Sequence, residues 1–269
     1  MKARVQIGAA ESVVDLGHPL SLAMELSFGG DSPRHFGAPA ASSRPLCVPG
    51  FSGSVAGGAS CNCSTLTLTP HCNGTHTECA GHITLQPLDA FRTVPPGLIP
   101  AVVLSVAPEL AARTSETTRP LPHAGDHLIT RRLLARAWQG DSRAPSMARA
   151  LVIRTLPLER TSAVAPYLSV EAMLWIIEQG IEHLIVELPS IDRAQDEGAL
   201  TAHRLFFGLP PAVSDLDQAR RRHCTITELA HVPRNVADGE YLLELQVPAL
   251  AGDAVPSRPL LFALHTASP

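Results

Sequence analysis

The sequence predicts an α/β protein: a mixed, barrel-like β-sheet core with a few flanking helices, in one domain spanning residues 1–269. Three observations point there. Short apolar or β-branched runs bounded by turn residues recur along the chain and outnumber the helical patterns. The helical patterns lie between those runs, as in layered α/β architectures. Pro (24) and Gly (19) are scattered rather than gathered into a linker, so no boundary divides the chain.

The elements follow in order. Gly50 to Ser60 is Gly/Ser-rich and reads as a long mobile loop placed to act as a lid. Ser64–Thr69 alternates Thr or Ser with Leu, the period-two pattern of a half-buried strand, which would deliver His71 and Cys72 at its end. His127–Trp138 carries Leu128, Leu133, Leu134 and Ala137 and reads as a helix with basic residues outward. Ala150–Arg154 is a short β-branched run suited to a buried strand. The clearest helix has Ser169 as N-cap, Glu171 in its first turn, an apolar stripe of Val170, Met173, Leu174 and Ile177, and Gly180 as its stop. Leu184–Leu188 reads as a strand, Ala199–Phe207 as a short helix carrying His203, and Tyr241–Val247 and Leu260–His265 as late strands.

Composition narrows function by exclusion. The net charge of −4 leaves no electrostatic footprint for nucleic acid, and Arg220-Arg221-Arg222 sits close to Asp215 and Asp217, as on a solvated surface. No apolar run reaches membrane-spanning length, and Met1-Lys2-Ala3-Arg4-Val5 is soon followed by Glu11 and Asp15, so neither a membrane span nor an apolar leader is expected. Of the six cysteines, Cys61, Cys63, Cys72 and Cys79 crowd one region, which suits reduced thiols near a metal and a cytoplasmic location.

The densest chemistry is His71-Cys72-Asn73-Gly74-Thr75-His76-Thr77-Glu78-Cys79-Ala80-Gly81-His82. Imidazole, thiolate and carboxylate together suit zinc or a similar divalent ion, and packing does not explain such a stretch. On an extended chain His76 and Glu78 point to one side; His71 and Cys72 are alternative ligands that point to opposite sides, and the alternation favours Cys72. A structural zinc site of Cys61, Cys63, Cys72 and Cys79 lacks a second close pair and is the weaker reading. Ser190, Asp192 and His203 invite a catalytic triad, but no Gly-x-Ser-x-Gly elbow surrounds Ser190, so these side chains are expected to fix a turn.

The segment from Cys72 to His82 resembles the His-x-Gly-Thr-His-x-Asp-x-Pro-x-His signature of the cyclase family of metal-dependent hydrolases, which includes bacterial kynurenine formamidase and isatin hydrolase. Asp15-Leu16-Gly17-His18-Pro19-Leu20-Ser21 resembles the family's opening segment, and Phe28-Gly29-Gly30-Asp31-Ser32-Pro33 its pocket-lining stretch. Leu188-Pro189-Ser190-Ile191-Asp192, Ala202-His203-Arg204, Thr227-Glu228 and Asp238-Gly239-Glu240-Tyr241 follow in family order.

The resemblance implies a swivelling β/β/α fold, a homodimer or homotetramer, and one or two divalent ions, Zn or Mn. It places the first ion on Cys72, His76 and Glu78, and the second on Glu78, His203 and Glu228. It makes His82 the general acid/base, assisted by Glu228, and sets Phe28 against the ring of a small-molecule substrate. The implied activity is arylformamidase-like hydrolysis of a cyclic or aryl amide. Cys72, Glu78, Ala80 and Phe28 depart from the family's His, Asp, Pro and Trp. Those departures keep two alternatives open: a binding protein that has lost hydrolysis, and a biosynthetic cyclase or dehydratase.

Overall fold

The computed structural model describes residues 1–30, 32–140, 147–158 and 164–266. Its main feature is one eleven-stranded mixed sheet. In chain order the strands are β1 (Lys2–Ile7), β2 (Ala10–Asp15), β3 (Leu20–Ser21), β4 (His76–Glu78), β5 (Leu98–Val106), β6 (Ala150–Thr155), β7 (His183–Val186), β8 (Thr225–Glu228), β9 (Gly239–Gln246), β10 (Ala254–Pro256) and β11 (Arg258–Thr266). They run β1-β2-β11-β9-β5-β6-β7-β8-β4-β10, with β3 beside β11.

The centre, β5-β6-β7-β8, is parallel. Parallel strands are covered on both faces and read as unbroken apolar runs, which is why Leu151-Val152-Ile153 and Leu184-Ile185-Val186 are wholly buried. Alternate residues feed two cores. Helices α1 (Pro70–Asn73) and α2 (Ala90–Thr93) are four residues each. Val102, Leu104, Leu151 and Ile153 face helices α3 (Arg131–Gly140), α4 (Val170–Glu178) and α5 (Thr201–Phe207), while Ala101, Val103, Val152 and Ile185 pack with Leu22, Val236 and Leu243 on the other face.

Helix α4 starts where expected: the Ser169 hydroxyl accepts from the Ala172 N–H at 2.9 Å. Its buried face is Ala172, Met173, Trp175 and Ile176, however, and Leu174 is 41% exposed. The stripe is therefore rotated from the expected one, because Trp175 packs edge-on against Trp138 of α3 at 5.5 Å between ring centroids. The expected helix from His127 begins only at Arg131; His127–Ile129 is a buried strand paired with Glu109–Leu110 and Tyr167–Leu168. Ser64–Thr67 is a strand, yet it is largely exposed and pairs with Ser42–Pro45 outside the main sheet. Within Gly50 to Ser60, Phe51–Ser52 pairs with Cys47–Val48 and Val55–Gly57 forms a helical turn.

Candidate metal centre

The ligand-rich segment is built from a helical turn and a short strand. Pro70 opens α1 (Pro70–Asn73), where its fixed φ is preorganised. The buried Asn73 side chain holds the turn together: its Oδ1 accepts from Thr69 N–H at 2.7 Å, and its Nδ2 donates to the carbonyls of Pro33 and Pro39, both at 3.0 Å. The chain then enters β4, flanked by antiparallel β8 and β10, with His76 opposite Glu228 and Glu78 opposite Ile226. Thr77 points away and bonds Thr227 hydroxyl to hydroxyl at 2.8 Å. His76 and Glu78 thus share a face, and that face holds the cluster.

Glu78 is its hub. His203 Nε2 lies 3.0 Å from Glu78 Oε1, and His71 Nε2 and His82 Nε2 lie 3.6 and 3.9 Å from Oε2. Glu228 joins from β8, its Oε2 3.6 Å from His76 Nε2 and its Oε1 3.6 Å from His203 Nε2. Leu229, which follows, has φ +53, a strained value for a branched residue, held by bonds from its N–H to Leu188 and to its carbonyl from Thr75.

Partners behind the cluster aim the rings. His76 Nδ1 donates to the Gly74 carbonyl at 3.0 Å, which leaves Nε2 as the lone-pair nitrogen. Asp192 caps α5 by accepting from the Ala202 and His203 N–H groups and holds His203 Nδ1 at 2.7 Å. Ser190 only accepts from the Asp192 N–H, so the Ser190–Asp192 turn orients His203 and forms no triad. Asp253 lies 3.2 Å from His82 Nδ1 and 3.1 Å from His71 Nε2, and the His71 and His82 rings are 4.4 Å apart.

Four buried atoms here, His71 Nε2, His76 Nε2 and both Glu78 oxygens, have no aligned hydrogen bond. They are half of the eight such side-chain atoms among the described residues. Close approach without hydrogen-bond alignment fits atoms aimed at a common point rather than at one another. Two donor groups, His71/Glu78/His82 and His76/Glu78/Glu228, each bring their ligand atoms within 4.8 Å of one another and share Glu78. Imidazole nitrogen and carboxylate oxygen are donors for zinc or manganese. The residues therefore fit a divalent cation.

Electrostatics agree. Burial works against the charge on Glu78, but His82, then His203 and His76, hold its carboxyl at about 2. Burial likewise opposes protonation of His203, His76 and His82, and the surrounding carboxylates outweigh it, raising all three. Carboxylates that draw protons onto these imidazoles would hold a cation in the protons' place.

Each expected site residue has a definite place. His76, Glu78, His82, His203 and Glu228 converge. Cys72 joins neither donor group among the described residues, and burial pushes its thiol up. The alternation that favoured Cys72 over His71 presupposes an extended chain; the two residues sit instead in a helical turn, where His71 reaches Glu78. Phe28 is half-buried, and Asp31 lies outside the described residues. Asp253 and His35 carried no signal in the sequence. The His35 N–H donates to the Cys72 carbonyl at 3.2 Å, and burial, then His76, lowers its imidazole.

The sequence profile of the family described as "Putative cyclase" matches residues 14–193, more than half of the chain. The chain belongs to that family. No curated protein matches it. Among solved structures it is similar to a "predicted metal-dependent hydrolase" from Bacillus stearothermophilus, at 16% identity and TM-score 0.56, covering 91% of this chain and 98% of that one. It is also similar to isatin hydrolase A from Labrenzia aggregata bound to benzyl benzoate, at 14% identity and TM-score 0.56, covering 91% and 93%. Isatin hydrolase A from Ralstonia solanacearum matches at 15% identity and TM-score 0.55, covering 91% and 92%. At these identities the likeness shows a shared fold.

Proposed function

We propose that the protein is a metal-dependent hydrolase of an aryl or cyclic amide, arylformamidase-like in reaction. The observation that carries this reading is the set of orphaned, buried ligand atoms around Glu78 beside the His82–Asp253 pair. Family membership and the structural likeness to isatin hydrolases support it. His76, Glu78, Glu228 and His203 hold the ion or ions, and His71 takes the place expected of Cys72. A bound divalent ion acidifies water and polarises an amide carbonyl. Asp253 fixes His82 Nδ1 as a donor, so Nε2 takes a proton from the attacking water and returns it to the leaving nitrogen as the C–N bond breaks. The products are a carboxylic acid and an amine, or one ring-opened amino acid when the amide is cyclic.

Elemental analysis of the purified protein, with turnover of formanilide and isatin after adding Zn²⁺ or Mn²⁺, tests the reading. A bound ion and turnover abolished by His82→Ala are expected. No bound ion, or a bound ion with no turnover of any amide, overturns it, and the latter leaves a binding protein. Cobalt substitution separates the ligands: a Cys72 thiolate gives an intense near-ultraviolet charge-transfer band, which His71 does not. The described cysteines are all free thiols, which supports a reducing cytoplasmic location. Among the described residues no helix is long and apolar enough to cross a membrane. Homodimer or homotetramer assembly is read by light scattering.

A further inference from the structure

A cavity of about 330 Å³ lies beside α5, at the small end of the range for ligand sites. Its apolar walls are Leu205, Leu209, Pro211 and Ala212, and Arg119 and Arg204 bring two guanidinium groups to it. Among the described residues no Asp or Glu lines it. None of the Glu78 cluster lines it either, although α5 also carries His203.

Neither guanidinium has a carboxylate partner among the described residues. Arg204 is half-buried and spends Nε and Nη1 on carbonyls, those of Ala199, Pro210 and Val213, at 3.2, 3.3 and 2.6 Å. Arg119 uses only its backbone there: its carbonyl accepts from the Thr201 hydroxyl at 2.9 Å, and its exposed side chain is left free. The carboxylate of Asp196, just before this wall, is committed to the N–H groups of Gly198 and Leu200, at 2.9 and 2.6 Å. Carbonyl dipoles orient a guanidinium without neutralising it, and apolar walls strengthen its attraction for an anion.

Backbone strain gathers at the same place. Of the five non-glycine residues with positive φ among the described residues, Ala212 (+59) lines the cavity, and Glu197 (+59) and Leu200 (+45) bracket Gly198 and Ala199 in its wall. Such conformations are costly and persist where the surroundings fix them, which is commonly at ligand clamps.

We propose that this cavity binds a small monocarboxylate with an apolar body, its carboxylate held by Arg119 and Arg204 and its body packed on Leu205, Leu209 and Pro211. The planar fork of an arginine matches a carboxylate with two parallel hydrogen bonds. The site is separate from the metal centre and goes beyond the hydrolase reading.

The test follows binding of 4-fluorobenzoate, and of neutral 4-fluorobenzyl alcohol, to the metal-loaded protein by fluorine NMR. The native chain is expected to bind the carboxylate about tenfold more tightly than the alcohol, the size of a charge-assisted hydrogen bond. Arg119→Gln is expected to lose that margin and to melt with the native chain, since no side-chain bond is removed. Ala212→Asp suits the positive φ and puts a carboxylate of the chain itself into the cavity, so it is expected to abolish binding. Ala212→Asn adds the same bulk without charge and is expected to keep it. Inorganic phosphate at equal concentration is expected not to displace the fluorobenzoate, because it leaves the apolar walls unfilled. Binding that survives both Arg119→Gln and Ala212→Asp lies elsewhere, as on the bound ion, and overturns the proposal. Equal affinity for the alcohol, identical behaviour of the two Ala212 variants, or displacement by phosphate overturns it as well. The readout involves no amide turnover, so the hydrolase reading stands or falls separately.

Discussion

Two buried polar clusters in this protein are opposites. Around Asp126 the polar groups are paired: Tyr167 donates its hydroxyl at 2.7 Å, Arg193 its Nε–H at 2.9 Å and His123 its backbone N–H at 3.0 Å, all to one carboxylate oxygen. Those bonds outweigh the burial of Asp126 and hold its carboxyl below the usual range, while burial and Asp126 push the Tyr167 hydroxyl up. Around Glu78 an equally buried carboxylate has three imidazoles within 4 Å, those of His71, His82 and His203, and both its oxygens lack an aligned partner. A satisfied network ties a loop down and is complete. An unsatisfied one is paid for in stability and persists where a ligand completes it.

Glu78→Gln breaks the contrast hardest. Divalent ion at a thousandfold excess over its dissociation constant is expected to stabilise the native chain by about 4 kcal/mol. The variant loses that gain, seen in melts with and without metal, together with at least ~10³-fold in turnover. Asp126→Ala does the reverse. It is expected to cost about 3 kcal/mol by leaving the part-buried Arg193 without its counter-ion and the buried Tyr167 hydroxyl without an acceptor, with the metal-dependent increment retained in denaturant titrations.

His183 supplies an intermediate case, a buried ring with Nδ1 bonded to Thr225 at 2.9 Å and Nε2 orphaned. Burial is the main cause that pushes it down to about 4. Its folded pKa lies below the unfolded value near 6.5, so its contribution is complete above pH 6.5 and is lost as pH falls towards 4. The loss reaches about 3 kcal/mol, and His183→Gln is expected to flatten that part of the stability profile relative to the native chain. The smallest effect is that of Asp192→Asn, which keeps the α5 cap but weakens the hold on His203. Metal affinity measured by chelator competition is expected to fall about 10- to 100-fold.

How much of this was legible depended on how local each cause is. The parallel core was, because Leu151-Val152-Ile153 and Leu184-Ile185-Val186 are buried on both faces and must be apolar throughout. His76 and Glu78 were, because i, i+2 positions on a strand share a face. The His71–Cys72 choice was not, because a four-residue helical turn is too short to leave a periodicity, and strand alternation misleads within it. Leu174 faces outward because the Trp138–Trp175 contact, a long-range event, sets the rotation of α4. Asp253 reaches His82 across 171 residues of chain, and nothing in Gly252-Asp253 marks it as more than a turn.

That separation bears on how the protein is made. The three residues of β4 pair on one side with residues 226–228 and on the other with 254–256, and the Thr75 carbonyl accepts from the Ser257 N–H. During synthesis His76 and Glu78 emerge early, yet their flanking strands leave the ribosome only after most of the chain. Closing the centre therefore carries the loop-closure entropy of bringing together residues 150 apart in the chain. A cation held there would act as a cross-link between those distant segments, tying β4 to the strands on both of its sides.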